Sequence, residues 1–291
     1  MEKQIERNDL CWCGSGKKYK LCHHDMEERI RQYKMQGCIV PSRKIIKSSR
    51  QIHGIRESGK VNIEILDFIT EHIQVGMSTG EIDRLVDHKT RELGGIPATL
   101  GYNGFPKSVC TSINHEVCHG IPSDDVILKE GDILNVDVTT IFGGYYSDSS
   151  RMFCLGNVSD ERQRLVDVTK KSIDNALEYA RPWGFLGDIG EAINDFARRN
   201  GYSVVEEIGG HGVGNEIHEE PYVSHVSKKG TEMLLVPGMV FTIEPMINAG
   251  RAGVIMDRKN GWTIRTKDGK DSAQWEVTVV ITDSGYEILA Y

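Results

Sequence analysis

Apolar and polar positions alternate at two spacings along this chain, and the spacing changes from one section to the next. Residues 26 to about 35 are charged with helical character, ending near Gly37. After Pro41 a long helical segment is predicted over about 42–75, with Gly76 as its stop. A second helix announces both of its ends. Ser78 and Glu81 form the reciprocal pair of a capping box, and Gly94-Gly95 closes the run. Turn-rich strands follow through about residue 155. Helical spacing returns over about 159–180 and 186–200, the latter closed by Gly201, and strand-like runs such as "MVFTIEPM" and "WEVTVVITD" complete the chain. Two helices followed by strands thus occur twice. A shift of 107 residues lays Gly80-Glu81-Ile82 over Gly187-Asp188-Ile189, Val86 over Ile193 and Gly94 over Gly201. This faint repeat predicts two similar halves with a site at their seam, where pockets tend to form.

Within the first strand region, "NVDVTTIFGGYYSDSS" (135–150) has the pattern of a buried hairpin interrupted by two carboxylates. A two-residue Gly143-Gly144 turn pairs Phe142 with Tyr145 and sets Thr139 opposite Asp148. Asp137 and Asp148 then share one face as diagonal neighbours, with Cβ atoms about 7 Å apart or less. Two ionised carboxylates that close repel, so a proton or a cation must lie between them.

Other acids stand in equally apolar settings. Glu244 interrupts "VFTIEPM" and Glu276 interrupts "AQWEVTVVI", while His211 is flanked by glycines in "GGHGVG". A buried carboxylate is costly unless a cation or donor satisfies it. Four such carboxylates and one imidazole suit a pair of borderline-to-hard divalent ions such as Mn²⁺, Fe²⁺, Co²⁺ or Zn²⁺. "HEVCH" (115–119) matches the zinc-protease signature, but that chemistry needs a helix to bring both imidazoles to one metal. Here strand-like "SVCTSIN" precedes the motif and Gly120-Ile121-Pro122 breaks the chain directly after it, so a strand is expected instead.

The front of the chain stands apart. "CWCGSGKKYKLCHH" sets Cys11, Cys13, Cys22 and His23 at the spacing of a tetrahedral Zn²⁺ site, with His24 as a competing fourth ligand. Four filled positions leave no room for a reacting water, so the site is structural, and metal would let so short a peptide hold a fold. Residues 1–50 carry 12 lysines and arginines against 6 acids; with −7 for the whole chain, the remainder carries −13. The basic head hints at an anionic partner, and Lys17, Lys18 and Lys20 with an exposed Trp12 or Tyr19 are expected to meet ribosomal RNA or a protein.

At 291 residues and 39% hydrophobic content the chain has ample material for a core. It has no apolar run near the roughly 20 residues that span a bilayer. "MEKQIERNDL" lacks the apolar stretch of a signal peptide, so a cytoplasmic location is expected and the sequon at Asn157 carries no meaning. The seven cysteines are accordingly expected as thiols or metal ligands.

Taken in order, "GYNGFPKSVCTSIN", "VCHGIP", "NVDVT", "SDSSRMF", "GHGVGNEIHEEPYV", "TIEPM" and "GWTIRTKDGKDSAQWEVTVV" resemble the type I methionine aminopeptidases over about residues 41–291. The front resembles the zinc motif of the SecA translocation ATPase. The resemblance implies the α/β (α+β) pita-bread fold with pseudo-two-fold halves. It divides the chain into a zinc-binding motif (1–24), a linker (25–41) and a metallo-aminopeptidase domain (42–291). It implies that Asp137, Asp148, His211, Glu244 and Glu276 hold two metals, with Asp148 and Glu276 bridging. Glu244 would relay the proton of the attacking water, His218 would donate to the scissile carbonyl, and His119 would contact the peptide nitrogen. Thr99, Tyr102, Phe105, Cys110, Ile217 and Trp262 would form the methionine pocket. This departs from the commonest family pattern, in which Cys, Tyr and Phe often stand at 99, 105 and 217, and a more polar rim is expected at Thr99. The implied substrate is the N-terminal peptide of nascent proteins, met by a monomer tethered to the ribosome through the knuckle. A proline-specific aminopeptidase or dipeptidase of the same fold and a non-catalytic relative remain the alternatives.

Overall fold

The hairpin around Gly143-Gly144 forms in the expected register in the computed structural model, which describes residues 5–291. Strand Ile133–Phe142 pairs antiparallel with Tyr145–Cys154, Phe142 facing Tyr145 and Thr139 facing Asp148. Both turn glycines take positive φ, 58° and 82°, the conformation that a tight hairpin turn requires. Strand Cys110–Ile113 pairs with the opposite edge of Ile133–Phe142, setting Cys110 beside Asp137.

Two helices cover this sheet. α1 (His24–Met35) belongs to the front of the chain; α2 (Ser49–His72) and α3 (Thr79–Glu92) pack on the hairpin, their Ile65, Leu66, Ile69, Ile82 and Val86 buried against Leu134, Val136 and Val138. Polar contacts fix α2 along the hairpin. Ser58 Oγ lies 2.9 Å from Ser147 Oγ, and Asn62 Nδ2 donates to the carbonyls of Val138 (2.5 Å) and Ser147 (3.2 Å). Gly59 lets the helix touch the last strand, since a Cβ there would lie 1.9 Å from the Leu289 carbonyl oxygen. α4 (Asp160–Leu177) and α5 (Leu186–Arg199) form the matching layer over a second core that includes Phe241, Ile243, Val277 and Val279. The 107-residue shift carries α3 onto α5 end to end.

The second half's main sheet runs Tyr286–Ala290, Val277–Ile281, Val240–Ile243, Gly210–Gly212, Glu219–Val223. It meets the first half where Ser150 and Glu276 exchange backbone hydrogen bonds of 3.4 and 3.2 Å. The seam of the two halves therefore runs through a residue singled out as a ligand.

One expectation changes. The long helix starts at Ser49, not near residue 42: Ser48 and Gln51 form its capping box, and only Arg43–Ile45 make a 3₁₀ turn. The reason is tertiary. Lys47 N–H donates to the Gly238 carbonyl (2.8 Å) and Ile46 bridges Met239, so this backbone pairs with the core and is withheld from the helix. The segment 25–41, expected as a linker with a helical stretch, carries that helix and packs on the body. Tyr33 stacks on Trp183 with ring centres 6.1 Å apart, the Arg29 guanidinium lies 4.0 Å from the Trp183 ring centre, and Ile39 bridges Met233. No helix among the described residues is long and apolar enough to cross a membrane.

Candidate active site

A cavity of about 240 Å³ opens at the seam and is lined by all thirteen predicted residues of the catalytic region, from Thr99 to Glu276. Strand alternation brings Asp137 and Asp148 to one face of the hairpin, both lining the cavity. His211 comes from the short strand Gly210–Gly212, Glu244 from just beyond Val240–Ile243, and Glu276 from just before Val277–Ile281.

Ligand atoms of Asp148, His211 and Glu276 all lie within 4.8 Å of one another. Glu244 joins this trio through His211, its Oε1 lying 3.5 Å from Nε2; Asp148 Oδ2 lies 3.7 Å from the same nitrogen. His211 Nδ1 is 3.0 Å from the Gly212 carbonyl oxygen. A carbonyl can only accept, so Nδ1 carries the hydrogen and Nε2 presents its lone pair to the carboxylates.

Burial dominates the electrostatics. It pushes Asp137 up to about 7 and Glu244 up to about 8, and holds Asp148 and Glu276 well above the usual carboxylate range, with the neighbouring acids adding to it for the last two. Burial likewise lowers His211 to about 4, with nearby His218 assisting, so its imidazole is neutral. Glu276 Oε1 is buried with no hydrogen-bond partner. An orphaned carboxylate oxygen among three further acids and a neutral imidazole is satisfied by a cation, and the donor set fits divalent metal.

Residues that the sequence reading missed hold the predicted ligands in place. Thr139 Oγ1 donates to Asp148 (2.9 Å), Thr242 Oγ1 to Glu244 Oε1 (2.7 Å) and Gln274 Nε2 to Glu244 Oε2 (3.1 Å). The same Thr242 oxygen accepts the His211 N–H at 2.9 Å, joining two ligands through one hydroxyl. Thr139 was findable, since the register sets it opposite Asp148; Thr242 and Gln274 each stand two places before a predicted ligand. Buried His225, whose Nε2 accepts the Glu244 N–H at 3.3 Å, left no such mark.

Beside the acids, the edge of one ring in the Phe105–Trp262 pair meets the face of the other, their centres 5.2 Å apart. His218 Nδ1 lies 2.7 Å from the Tyr102 hydroxyl, and burial lowers His119 to about 4, followed by the influence of His218. Thr99 lines the cavity, and its hydroxyl donates to the Lys107 carbonyl at 3.2 Å. Tyr222 and Ile208–Gly210 also line the cavity. "HEVCH" is a strand over Glu116–Cys118, and Glu116 pairs with Arg265 at 2.8 Å, so the helical zinc-protease arrangement is absent.

At the front, Cys11, Cys13, Cys22 and His23 converge with ligand atoms within 4.8 Å, His23 Nδ1 lying 3.1 Å from Cys11 Sγ and 3.2 Å from Cys22 Sγ. His24 turns away to Asp25, 3.0 Å distant. All seven cysteines are free thiols. Tyr19 and Trp12 are not the exposed aromatics expected. Tyr19 is 2% exposed, and both donate to the Glu27 carboxylate at 2.6 Å because that buried acid needs donors. Lys17, Lys18 and Lys20 are exposed.

Residues 53–283 match the model of metallopeptidase family M24. The chain belongs to that family. Residues 7–25 match the SEC-C motif. Among curated relatives of this M24 chain, methionine aminopeptidase of Chlamydia muridarum (strain MoPn / Nigg) is 43% identical over 98% of both chains. That of Escherichia coli (strain K12) is 47% identical, covering 84% of this chain and 92% of its own. The crystal structure of methionine aminopeptidase from Rickettsia prowazekii superposes with a TM-score of 0.83 at 44% identity, covering 84% of this M24 chain and 99% of that one. A prolidase from Pyrococcus horikoshii OT3 shares the fold alone, with a TM-score of 0.67 at 23% identity, covering 85% of this chain and 63% of that one. Two helix-covered halves meeting at a buried acidic seam constitute the pita-bread α/β fold of these neighbours.

Proposed function

We propose that the chain removes the N-terminal methionine from newly made polypeptides, as its relatives' names describe for them, by metal-assisted hydrolysis of the first peptide bond. One observation carries this reading beyond likeness: the orphaned Glu276 oxygen sits with Asp148 and His211 in the same cavity as the apolar pocket. Asp137, Asp148, His211, Glu244 and Glu276 would together hold two divalent ions (Mn²⁺, Fe²⁺, Co²⁺ or Zn²⁺). When bound, such ions supply a water acidic enough to lose a proton near neutral pH and polarise the scissile carbonyl.

The protein's own groups do the rest. Glu244, fixed at both oxygens by Thr242 and Gln274, is assigned as acceptor and relay of the water's proton. Tyr102 can donate its hydroxyl hydrogen to His218 Nδ1, which leaves the imidazole's own hydrogen on Nε2, free to donate to the carbonyl oxygen as negative charge develops. His119, kept neutral by burial, is assigned to the peptide nitrogen of the bond cut. Phe105, Trp262, Tyr102, Cys110, Ile217 and Thr99 surround a space suited to a flexible, polarisable thioether.

Residues 1–24 are assigned as a structural zinc module, 25–41 as the docking segment and 42–291 as the catalytic domain. The exposed lysines of the module are assigned to the ribosome, where the substrate emerges, in a cytoplasmic monomer. The activity is tested with Met-Ala-Ser and X-Pro peptides on wild type, Asp137→Ala and His115→Ala. Cleavage after methionine that disappears with Asp137→Ala and survives His115→Ala supports the reading; preference for X-Pro peptides contradicts it.

A further inference from the structure

A charged pair lies inside the protein apart from the five predicted ligands. Lys47 is 3% exposed, and its ammonium pairs with the carboxylate of Glu219. Oε2 of Glu219 takes the lysine, while Oε1 accepts the N–H groups of Asn215 (2.6 Å) and Glu216 (3.0 Å). A single carboxylate therefore closes the loop 214–219 on itself and fastens it to the segment entering α2.

That loop carries Ile217 and His218, both lining the cavity. Its far end is also held: the Gly214 carbonyl accepts the Tyr146 N–H at 2.8 Å, and Asn215 Oδ1 accepts from Gln51 Nε2 at 3.1 Å. Lys47 in turn is immobilised through its backbone bond to Gly238 and by Ser48, the cap of α2. Buried ion pairs are weak sources of stability, since apolar residues of similar volume often do as well. What they give is direction, and here the direction is set one residue from His218.

We propose that Lys47 is a positioning residue, holding Glu219 so that His218 points at the scissile carbonyl oxygen. The proposal rests on the reading of His218 as donor to that oxygen. Lys47 touches neither substrate nor metal ligands; it acts through the backbone at 218–219. Ile217 shares the loop and is buried, but the aim at issue is that of His218, so the loss should fall on kcat more than on KM.

The test uses manganese-loaded full-length enzyme and Met-Ala-Ser, comparing wild type, Lys47→Met, His218→Ala and the two combined. Lys47→Met should lower kcat about 10- to 100-fold, the scale of a small misplacement of a catalytic group. In the His218→Ala background the same substitution should change kcat by no more than about twofold, because the interaction it supports is already gone. Manganese affinity, measured calorimetrically, should be unchanged in all variants. Should Lys47→Met not fold, Lys47→Met with Glu219→Gln removes both charges together and leaves none unpaired; a kcat loss that again disappears without His218 is expected. Equal losses with and without His218, or a parallel loss of metal binding, would overturn the proposal. An unchanged kcat in a wild type that cleaves Met-Ala-Ser sinks it alone. A wild type that does not cleave at all sinks the activity reading as well.

Discussion

Asp137 and Asp148 are diagonal neighbours on one face of the hairpin, two acids lining the same cavity, and after burial the charge of Asp137 helps hold Asp148 above the usual carboxylate range. Two ionised carboxylates that close in a site shielded from water repel, so either a proton or a cation has to relieve them.

Metal binding should therefore release protons. Asp137 near 7 and Glu244 near 8 are largely protonated at pH 6 in the metal-free protein, and metal needs the ionised forms. Affinity should rise steeply from pH 6 to pH 8. Calorimetry of manganese binding in buffers of different ionisation heat reads the protons directly; a pH-independent affinity with no release contradicts the account. The sign for stability is the opposite. These folded-state values lie above those of the unfolded chain, so their contribution is full below about pH 4 and is lost as pH rises through 7 to 8. Metal-free protein should show a lower Tm at pH 8 than at pH 6 on this account.

Thr242 joins His211 to Glu244 through one hydroxyl. Thr242→Val keeps the volume and removes both bonds, leaving the His211 N–H and Glu244 Oε1 each short of a partner. A loss of about 10-fold or more in metal affinity is expected, on the scale seen when groups supporting metal ligands are changed. Titration of the variant with manganese would expose the error if affinity stayed at the wild-type level.

The N-terminal cysteine module, proposed to hold zinc, should dock less firmly in acid. Burial alone would raise Glu27, but hydrogen bonds from Arg43, Tyr19 and Trp12 outweigh it and hold its carboxyl below the usual range. Its contribution is therefore present above the unfolded value near 4.3 and is lost as pH falls through the lower folded value. Glu27→Ala removes the acceptor that Trp12, Tyr19 and Arg43 share and should cost about 1–3 kcal/mol. Faster release of zinc to a chelator at pH 7 is the measurable consequence; an unchanged rate would show that Glu27 does not support the module.

Thr99→Cys should alter kcat/KM for Met-Ala-Ser little. The threonine hydroxyl is engaged by the Lys107 carbonyl, so the pocket does not feel it as a polar group. A change of less than about threefold, the low end of what one altered contact in an apolar pocket does, is the expected outcome in steady-state assays. A tenfold change would mean that the hydroxyl faces the substrate after all.

Much of this site was legible because local rules set it. The Gly143-Gly144 turn fixes the register of ten cross-strand pairs, and with it the shared face of Asp137 and Asp148. The capping box at Ser78 and Glu81 marks α3 because both partners lie within one turn. The start of α2 was missed since Ile45 and Ile46 continue a helical pattern while their backbone neighbours pair with residues 238–239, far away in sequence. Burial of Glu27 was equally hidden. Its donors come from Trp12, Tyr19 and Arg43, and nothing in a charged stretch says which acid will turn inward. His225 and Lys47 escaped for the same reason: each takes its meaning from a partner on a distant strand or loop.

The central claim is that five side chains from both halves converge on paired divalent ions. A crystal grown with manganese and measured for anomalous scattering tests it most directly. The account predicts two strong peaks at the seam, Asp148 and Glu276 touching both, Asp137 one, and His211 with Glu244 the other. A seam free of anomalous density, or ions held by other residues, would contradict it.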